Sequence, residues 1–378
     1  MTILKHLKLR LQFTGWLQYL PTAILTLALF LVVAFAHLLG YMSVAQAFVF
    51  VGALLLMVCI FDLFTVKFQL HPRECLPKRN DDLGMFDLMR TRRSCRSFQT
   101  RKLITADYNE LMEYVRLHSE APKIGKAPIR FEYVAAPLTV WPVVGATEFL
   151  VAIAPNEYNR LAVIDVGRSL QKIVIEATRM GLGTCWIGPG ADHASIRQHL
   201  GDRYNPKKDH IICVCAIGYK SWYLPVLVRF MNIQFHRRLP LSSLFFADSH
   251  FKEPLNVVAY PFKQFGRSYE VCQWSPSSYN GQTTRCVAVM AQDGVKKGDS
   301  DAAEPRLARF DFYAATESRY YAAVAVGIWC ANWEMGCEAL GIQGRFAVLS
   351  ARERGVHDEK ACSQLPRYDV SWVLDENF

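Results

Sequence analysis

Two apolar stretches constrain this chain more than anything else in it. Pro21 to Tyr41 runs 21 residues without a formal charge, and Ala45 to Val66 runs 22 with Asp62 as its only charge. A bilayer core holds no water to satisfy backbone N–H and C=O groups, so an isolated segment crossing it must be helical. At about 1.5 Å of rise per residue, each stretch covers roughly 30 Å. A transmembrane hairpin is therefore expected within residues 1–70, with spans 21–41 and 45–66 and Met42-Ser43-Val44 as its turn. Lys5, Lys8 and Arg10 precede the first span, Lys67, Arg73, Lys78 and Arg79 follow the second, and the turn carries no charge. That asymmetry places both termini and the soluble part on the cytoplasmic or equivalent side of an integral membrane protein. The apolar core is too long for a cleaved signal peptide and is followed at once by another span. Asp62, near the end of its span, is expected to reach water.

The remaining chain is long enough for two further units with cores of their own. Among 378 residues, 43 Lys and Arg outweigh 34 Asp and Glu, a net charge of +9. The excess falls in short clusters (5–10, 90–96, Arg237 and Arg238) rather than a long stripe, which argues against nucleic acid. The eleven cysteines are scattered, without a C-x-x-C pair, and several lie in apolar runs. That pattern indicates a reducing compartment and buried thiols rather than a disulfide framework, and no metal site is expected.

A polar linker, 71–82, leads into a first unit at 84–248. Its opening cluster, Arg92-Arg93-Ser94-Cys95-Arg96-Ser97-Phe98, is a natural clamp for a phosphate or a delocalised anion, because guanidinium forks give charge-assisted hydrogen bonds. A helix capped by Thr105 is expected to Leu117, with strands at 130–136, 148–154 and 211–217. A long buried helix over the Ile164 region should close at Gly181 and Gly183 and lead into an exposed turn, Thr184 to Gly190. There Gly188 and Gly190 would let backbone N–H groups approach a ligand. The stretch 222–246 mixes aromatic and basic residues that suit a membrane surface.

The second unit, 249–378, opens near Trp274 to Gln282, a loop with Ser275, Ser277, Ser278, Asn280 and Gln282 around Pro276 and Gly281. Such a loop can present hydroxyls and amides to a flat polar ligand. An internal repeat links the units: Val166-Gly167 precedes Gly181 by the interval that separates Val326-Gly327 from Gly341, at an offset of 160 residues. Two copies of one unit would pack about a pseudo-twofold axis, as homodimers do. Only the first carries the arginine cluster and only the second the serine-rich loop, so the two half-sites imply one pocket.

The motifs R-R-S-C-R-S-F at Arg92, D-V-G-R-S-L-Q at Asp165, G-L-G-T-C-W-I-G at Gly181 and S-P-S-S-Y-N-G-Q at Ser275 together resemble the FMN-dependent nitroreductase family. The resemblance covers about residues 84–378, specifically to the branch in which two fused halves imitate the homodimer. It implies an α+β nitroreductase-like fold, internally duplicated, behind the two-helix hairpin, and a monomer. It implies FMN held by Arg92, Arg93 and Ser94 at the phosphate and ribityl end, with Arg237 or Arg238 as a further phosphate contact and Arg96 near the pyrimidine edge. Ser277, Ser278, Asn280 and Gln282 belong to the motif that closes the pocket from the opposite half, and Gly188 to Gly190 would bring a backbone donor to the flavin. No side chain need act as acid or base, since a flavin carries the redox chemistry. Thr283 and Thr284 stand where the family commonly has Pro-Trp. The implied activity is a membrane-anchored oxidoreductase passing electrons between NAD(P)H and a quinone-like or nitro-aromatic acceptor, with a lipophilic substrate in view of the hairpin. Two alternatives stay open: a flavin-binding or flavin-free subunit of a membrane complex, and a flavin dehydrogenase or dehalogenase of a specific metabolite.

Overall fold

The structure is a computed structural model that describes residues 11, 15–188, 190–234, 237–291, 306–356 and 365–375. Lys5, Lys8 and Arg10, which orient the expected hairpin, lie outside the described residues. The hairpin is formed by α1 (Leu20–Leu38) and α2 (Met42–Asp62), the second prolonged by one π-helical turn, Leu63–Lys67. Both helices are long and apolar enough to cross a membrane by length and composition, and only a small share of either is buried. Leu27, Leu31, Phe35 and Phe50 face outward. The hydroxyls of Thr26 and Thr65 turn back to the carbonyls of Thr22 (2.8 Å) and Phe61 (2.7 Å), so these polar groups need no water.

Two features depart from the sequence reading. The connection is Leu39-Gly40-Tyr41, not Met42-Ser43-Val44: the first helix ends at Leu38 rather than Tyr41, and the second begins at Met42 rather than Ala45 and continues to Lys67. Gly40 takes a φ of +79°, a conformation favoured by a residue without a Cβ, whereas Met42 already begins α2. Nor does Asp62 reach water. It is buried and accepts the backbone N–H of Val226 (2.8 Å) at the start of helix Val226–Gln234, so the carboxylate serves as an anchor between the hairpin and the rest of the chain.

The remainder is an α+β body with two sheets. In chain order come α3 (Met85–Thr91), α4 (Thr105–Glu120), β1 (Arg130–Val134), β2 (Phe149–Pro155), α5 (Arg160–Arg179), β3 (Gly183–Ile187), α6 (His193–Leu200), β4 (Asp209–Gly218) and α7 (Val226–Gln234). These are followed by β5 (Phe245–Phe246), α8 (Ser268–Gln273), β6 (Thr284–Met290), β7 (Leu307–Ala314), α9 (Tyr321–Ala339), β8 (Gly344–Ala347) and β9 (Arg367–Leu374). The first sheet runs β1-β2-β4-β3 and the second β5-β6-β7-β9-β8. Without β5 the orders match strand for strand, and a long helix links the second strand to the third in both. Phe245 and Phe246, on the first side of the expected boundary at 248/249, pair in parallel with Cys286 and Val287 of β6.

Local corrections have local causes. Thr105 is the first helical residue rather than the cap of α4; the preceding Ile104 N–H is met instead by the Tyr219 hydroxyl (3.0 Å), which itself donates to Asp107. Gly181 closes α5 at φ +81°, but Gly183 opens β3. The stretch read as an exposed turn from Thr184 is therefore largely a strand, hydrogen-bonded to β4 and mostly buried.

The α5–α9 crossing joins the two sheets' helices at van der Waals range. A Cβ on Gly167 would lie 2.4 Å from the Val324 carbonyl oxygen, and one on Gly327 would lie 2.0 Å from that of Ile164. The contact is reciprocal: each glycine meets the residue three before its counterpart, at the 160-residue offset of the repeat. Around it, Arg168 grips Glu334 through two hydrogen bonds (2.8 and 2.5 Å), Lys172 adds a third contact to Glu334 (2.9 Å), and Gln171 donates to Asn332 (3.1 Å). Arg160 of α5 reaches Asp369 of β9 in the same two-pronged way. Gly327→Ala and Gly167→Ala should each force the helices apart and cost about 1–3 kcal/mol. Thermal unfolding checks this; a variant midpoint equal to that of the unaltered protein would refute the close packing.

Candidate functional site

Arg92 through Phe98 leave α3 as a strap laid along the first sheet. The Arg92 N–H closes α3 on the Leu88 carbonyl (3.0 Å), Cys95 N–H bonds to Thr184 of β3 (2.8 Å), and Phe98 N–H bonds to Val144 (2.9 Å). The strap thus points its arginines to the end of β3, where it meets elements from the second sheet's side. Between them lies a cavity of about 680 Å3, within the size range of small-molecule and cofactor sites.

Ten of the twelve residues expected from the sequence line this cavity: Arg92, Arg93, Ser94 and Arg96 from the strap, Gly188 and Gly190 after β3, Arg238, and Ser277, Ser278 and Asn280 from the loop before β6. The two half-sites therefore meet, from regions nearly two hundred residues apart. Gln282 does not line it. Its side chain accepts the Leu239 N–H (2.8 Å) and donates to the Arg237 carbonyl (3.2 Å), bracing the approach to Arg238. Arg237 is exposed and outside the lining; it contributes its carbonyl, which accepts from Asn280 Nδ2 (2.8 Å), while Arg238 bonds to Asn280 Oδ1. Of the two late arginines considered, Arg238 is the one in the cavity.

The glycines make room for protein rather than for open space. A Cβ on Gly188 would strike the Tyr321 ring at 2.8 Å, and one on Gly190 would fall 1.9 Å from the Trp141 carbonyl oxygen. Gly190 also accepts the Trp141 N–H (2.8 Å). They thereby hold Trp141 and Tyr321 in the wall, two residues the sequence reading missed. Trp186 and Ile212 from the first sheet and Val324 and Ile328 from α9 complete an apolar and aromatic surface. Leu17, from the turn before α1, lines it as well. Nothing local marks these residues in the sequence, since each reaches the cavity through tertiary packing; only Trp186 stood inside a recognised motif.

The electrostatics are one-sided. No Asp, Glu or His is among the described lining residues. Arg92 is 5% exposed, and burial, reinforced by Arg238 and Arg93, pushes its guanidinium down to about 10; burial, with Arg93 and Arg90, does the same to Arg238. Arg90, Arg93 and Arg238 all stand over the Trp274 ring, at 3.8, 5.1 and 5.1 Å. Four buried donor atoms of the lining have no hydrogen-bond partner among the described residues: Arg92 Nη1, Arg238 Nε, Trp141 Nε1 and Trp186 Nε1. Orphaned buried donors are costly, and desolvated cations more so. The arrangement calls for an acceptor-rich anion with a flat apolar part. Burial holds the Cys185 thiol up and pushes Cys213 up to about 12, so neither is a thiolate near neutrality. Neither of these two lining cysteines is therefore poised as a nucleophile at pH 7.

Phosphate binding should follow the Arg92 charge. With its value held at about 10, the cost of the buried cation is present below that pH and relieved above it, so an anion that compensates the charge stabilises most near neutrality and progressively less as pH rises past about 10. Inorganic pyrophosphate should therefore raise the thermal midpoint at pH 7 and lose this effect in Arg92→Met; the same rise in both proteins would contradict the assignment.

The family described as "Putative TM nitroreductase" matches residues 84–294, more than half of the chain. Among curated proteins none matches. Among solved structures, a nitroreductase from Thermotoga maritima is 13% identical, covers 81% of this chain and 97% of its own, and superposes with a TM-score of 0.45. A nitroreductase with bound FMN from Bacteroides fragilis is 17% identical over 37% of this chain and 89% of its own, with a TM-score of 0.31. An FMN- and NADPH-dependent nitroreductase from a Sphingopyxis strain is 16% identical over 38% and 92%, with a TM-score of 0.32. On the strength of the family match across the strap, both glycines and the serine-rich loop, the chain belongs to this nitroreductase family.

Proposed function

We propose that the protein is a membrane-anchored FMN-dependent oxidoreductase that takes electrons from NAD(P)H and passes them to a quinone-like or nitro-aromatic acceptor. The observation that carries the reading is the set of four buried donors without partners among the described residues, two on arginines and two on indoles, around a cavity with no carboxylate among its described lining residues. FMN fits that set: a phosphate dianion matches Arg92 and Arg238, and the carbonyl and ring nitrogen acceptors of a flat heterocycle match indole and guanidinium N–H groups. When bound, FMN supplies the two-electron chemistry that the lining lacks.

The chain's own residues then bind, orient and exclude water. Arg92, Arg93 and Ser94 with Arg238 would hold the phosphate and ribityl end, and Arg96 would stabilise negative charge on the reduced pyrimidine edge. Ser277, Ser278 and Asn280 would close the cavity from the second unit, with Trp186, Ile212 and Ile328 as apolar walls. The units 84–248 and 249–378 are read as two copies of one ancestral subunit, which makes the monomer a sufficient catalyst. Support comes from the matching strand orders and the reciprocal Gly167 and Gly327 contacts. The hairpin is read as membrane-spanning, with both ends on the cytoplasmic side, because α1 and α2 leave large apolar side chains exposed where a buried soluble helix would cover them.

The detergent-purified protein should show flavin absorption that bleaches on anaerobic NADH or NADPH and returns on adding a quinone. A colourless protein that takes up no added FMN would overturn the assignment, whereas a bound flavin that neither nucleotide bleaches would favour a binding subunit. Arg92→Ala and Asn280→Ala should each deplete the flavin by roughly tenfold or more, the expected cost of losing one charged or buried polar contact. Full occupancy in both would refute the shared pocket.

A further inference from the structure

The cavity wall includes one residue that belongs to neither unit. Leu17 sits in the turn that feeds α1, held by its N–H to the Leu11 carbonyl (2.9 Å), and it lines the cavity together with the strap and the serine-rich loop. This turn lies at the end of the hairpin where both helices join the body. Lys67, at the close of the π-helical turn, stands 5.1 Å from the Trp16 ring, and Asp62 anchors α7 at the same end. Phe61 lies against Tyr223, whose ring also stacks on His71 at 4.2 Å. Trp16, Phe68, Trp222 and Phe230 are exposed around this junction. Aromatic and basic side chains at the end of an apolar hairpin mark headgroup depth.

We infer that the cavity opens toward the bilayer at Leu17, and that the acceptor is an aromatic ring carrying an apolar tail that stays in the lipid beside α1 while the ring enters the cavity. The inference rests on the oxidoreductase reading for its chemistry but on Leu17 for its route. In the reaction, NAD(P)H and one proton convert the quinone to its quinol, with NAD(P)+ as the other product, so two electrons and two protons reach the ring and none is left over. Leu17 is then a specificity residue: it offers the first tail carbons an apolar contact and a path that never crosses water. A tailless ring gains nothing from it.

The test uses the full chain in phosphatidylcholine vesicles, with 1,4-benzoquinone and its decyl derivative as probes. Binding is read from quenching of tryptophan fluorescence, since Trp141 and Trp186 line the cavity, and turnover is read with NADH and NADPH. Comparing proteins in identical vesicles cancels the partitioning of the tailed probe. Leu17→Arg should lower the decyl-to-tailless affinity ratio by about tenfold, and Leu17→Ala by a smaller factor in the same direction. Circular dichroism and resistance to carbonate extraction verify that each variant is folded and inserted. An unchanged ratio in both variants would overturn the route through Leu17. Should the ratio fall while NAD(P)H leaves the flavin unbleached, the route stands and the oxidoreductase reading fails; bleaching with an unchanged ratio gives the converse.

Discussion

The contact between α5 and α9 is the one on which the rest depends. Two glycines let the backbones touch, which fixes how far apart the two sheets stand and how they are turned. Apart from Leu17, the walls of the cavity are hung from one or the other side of this crossing: the end of β3 and the strap from the first sheet, and Tyr321, Val324 and Ile328 from α9 itself. A half-buried carboxylate, Glu334, shared by Arg168 and Lys172, holds the crossing against sliding, because removing either partner would leave a poorly solvated charge. Apolar packing alone would permit several registers of two such helices; the glycine pair and the ion cluster together leave one.

What the crossing holds in place is an arrangement that is unfavourable on its own. Four guanidinium and indole donor atoms are buried there without acceptors among the described residues, and Arg92 is shielded from water. Such a site is preorganised: the energy spent in assembling it is recovered when an acceptor-rich ligand arrives, so little has to move on binding. The same logic accounts for the lack of carboxylates among the described lining residues, since they would satisfy the arginines internally.

Much of this was legible in the chain itself. The hairpin followed from uncharged length, and the strap and loop from residue types that have few other uses in such density. The glycine spacing read as a repeat places Gly167 and Gly327 in positions that meet in space. What could not be read is equally specific. Gly40 set the hairpin turn three residues before the one chosen, because an uncharged run gives no polarity to mark its bend. Asp62 looked like a residue bound for water, since its partner, the Val226 N–H, lies 164 positions further on. Trp141, Tyr321 and Leu17 carry no motif and become wall residues only when the sheets and helices are assembled. Arg237 and Arg238 are indistinguishable by type, and only the path set by Gln282 and Asn280 sends one inward.

The two-residue strand β5 has a further consequence. Lying before the expected boundary yet pairing with β6, it threads the tail of the first unit into the second sheet. In chain order the strap, residues 92–98, comes well before the facing wall, residues 274–280 and 321–328. The pocket is therefore complete only once both stretches have folded against each other. Until then the arginines of the strap lack the facing half of their pocket.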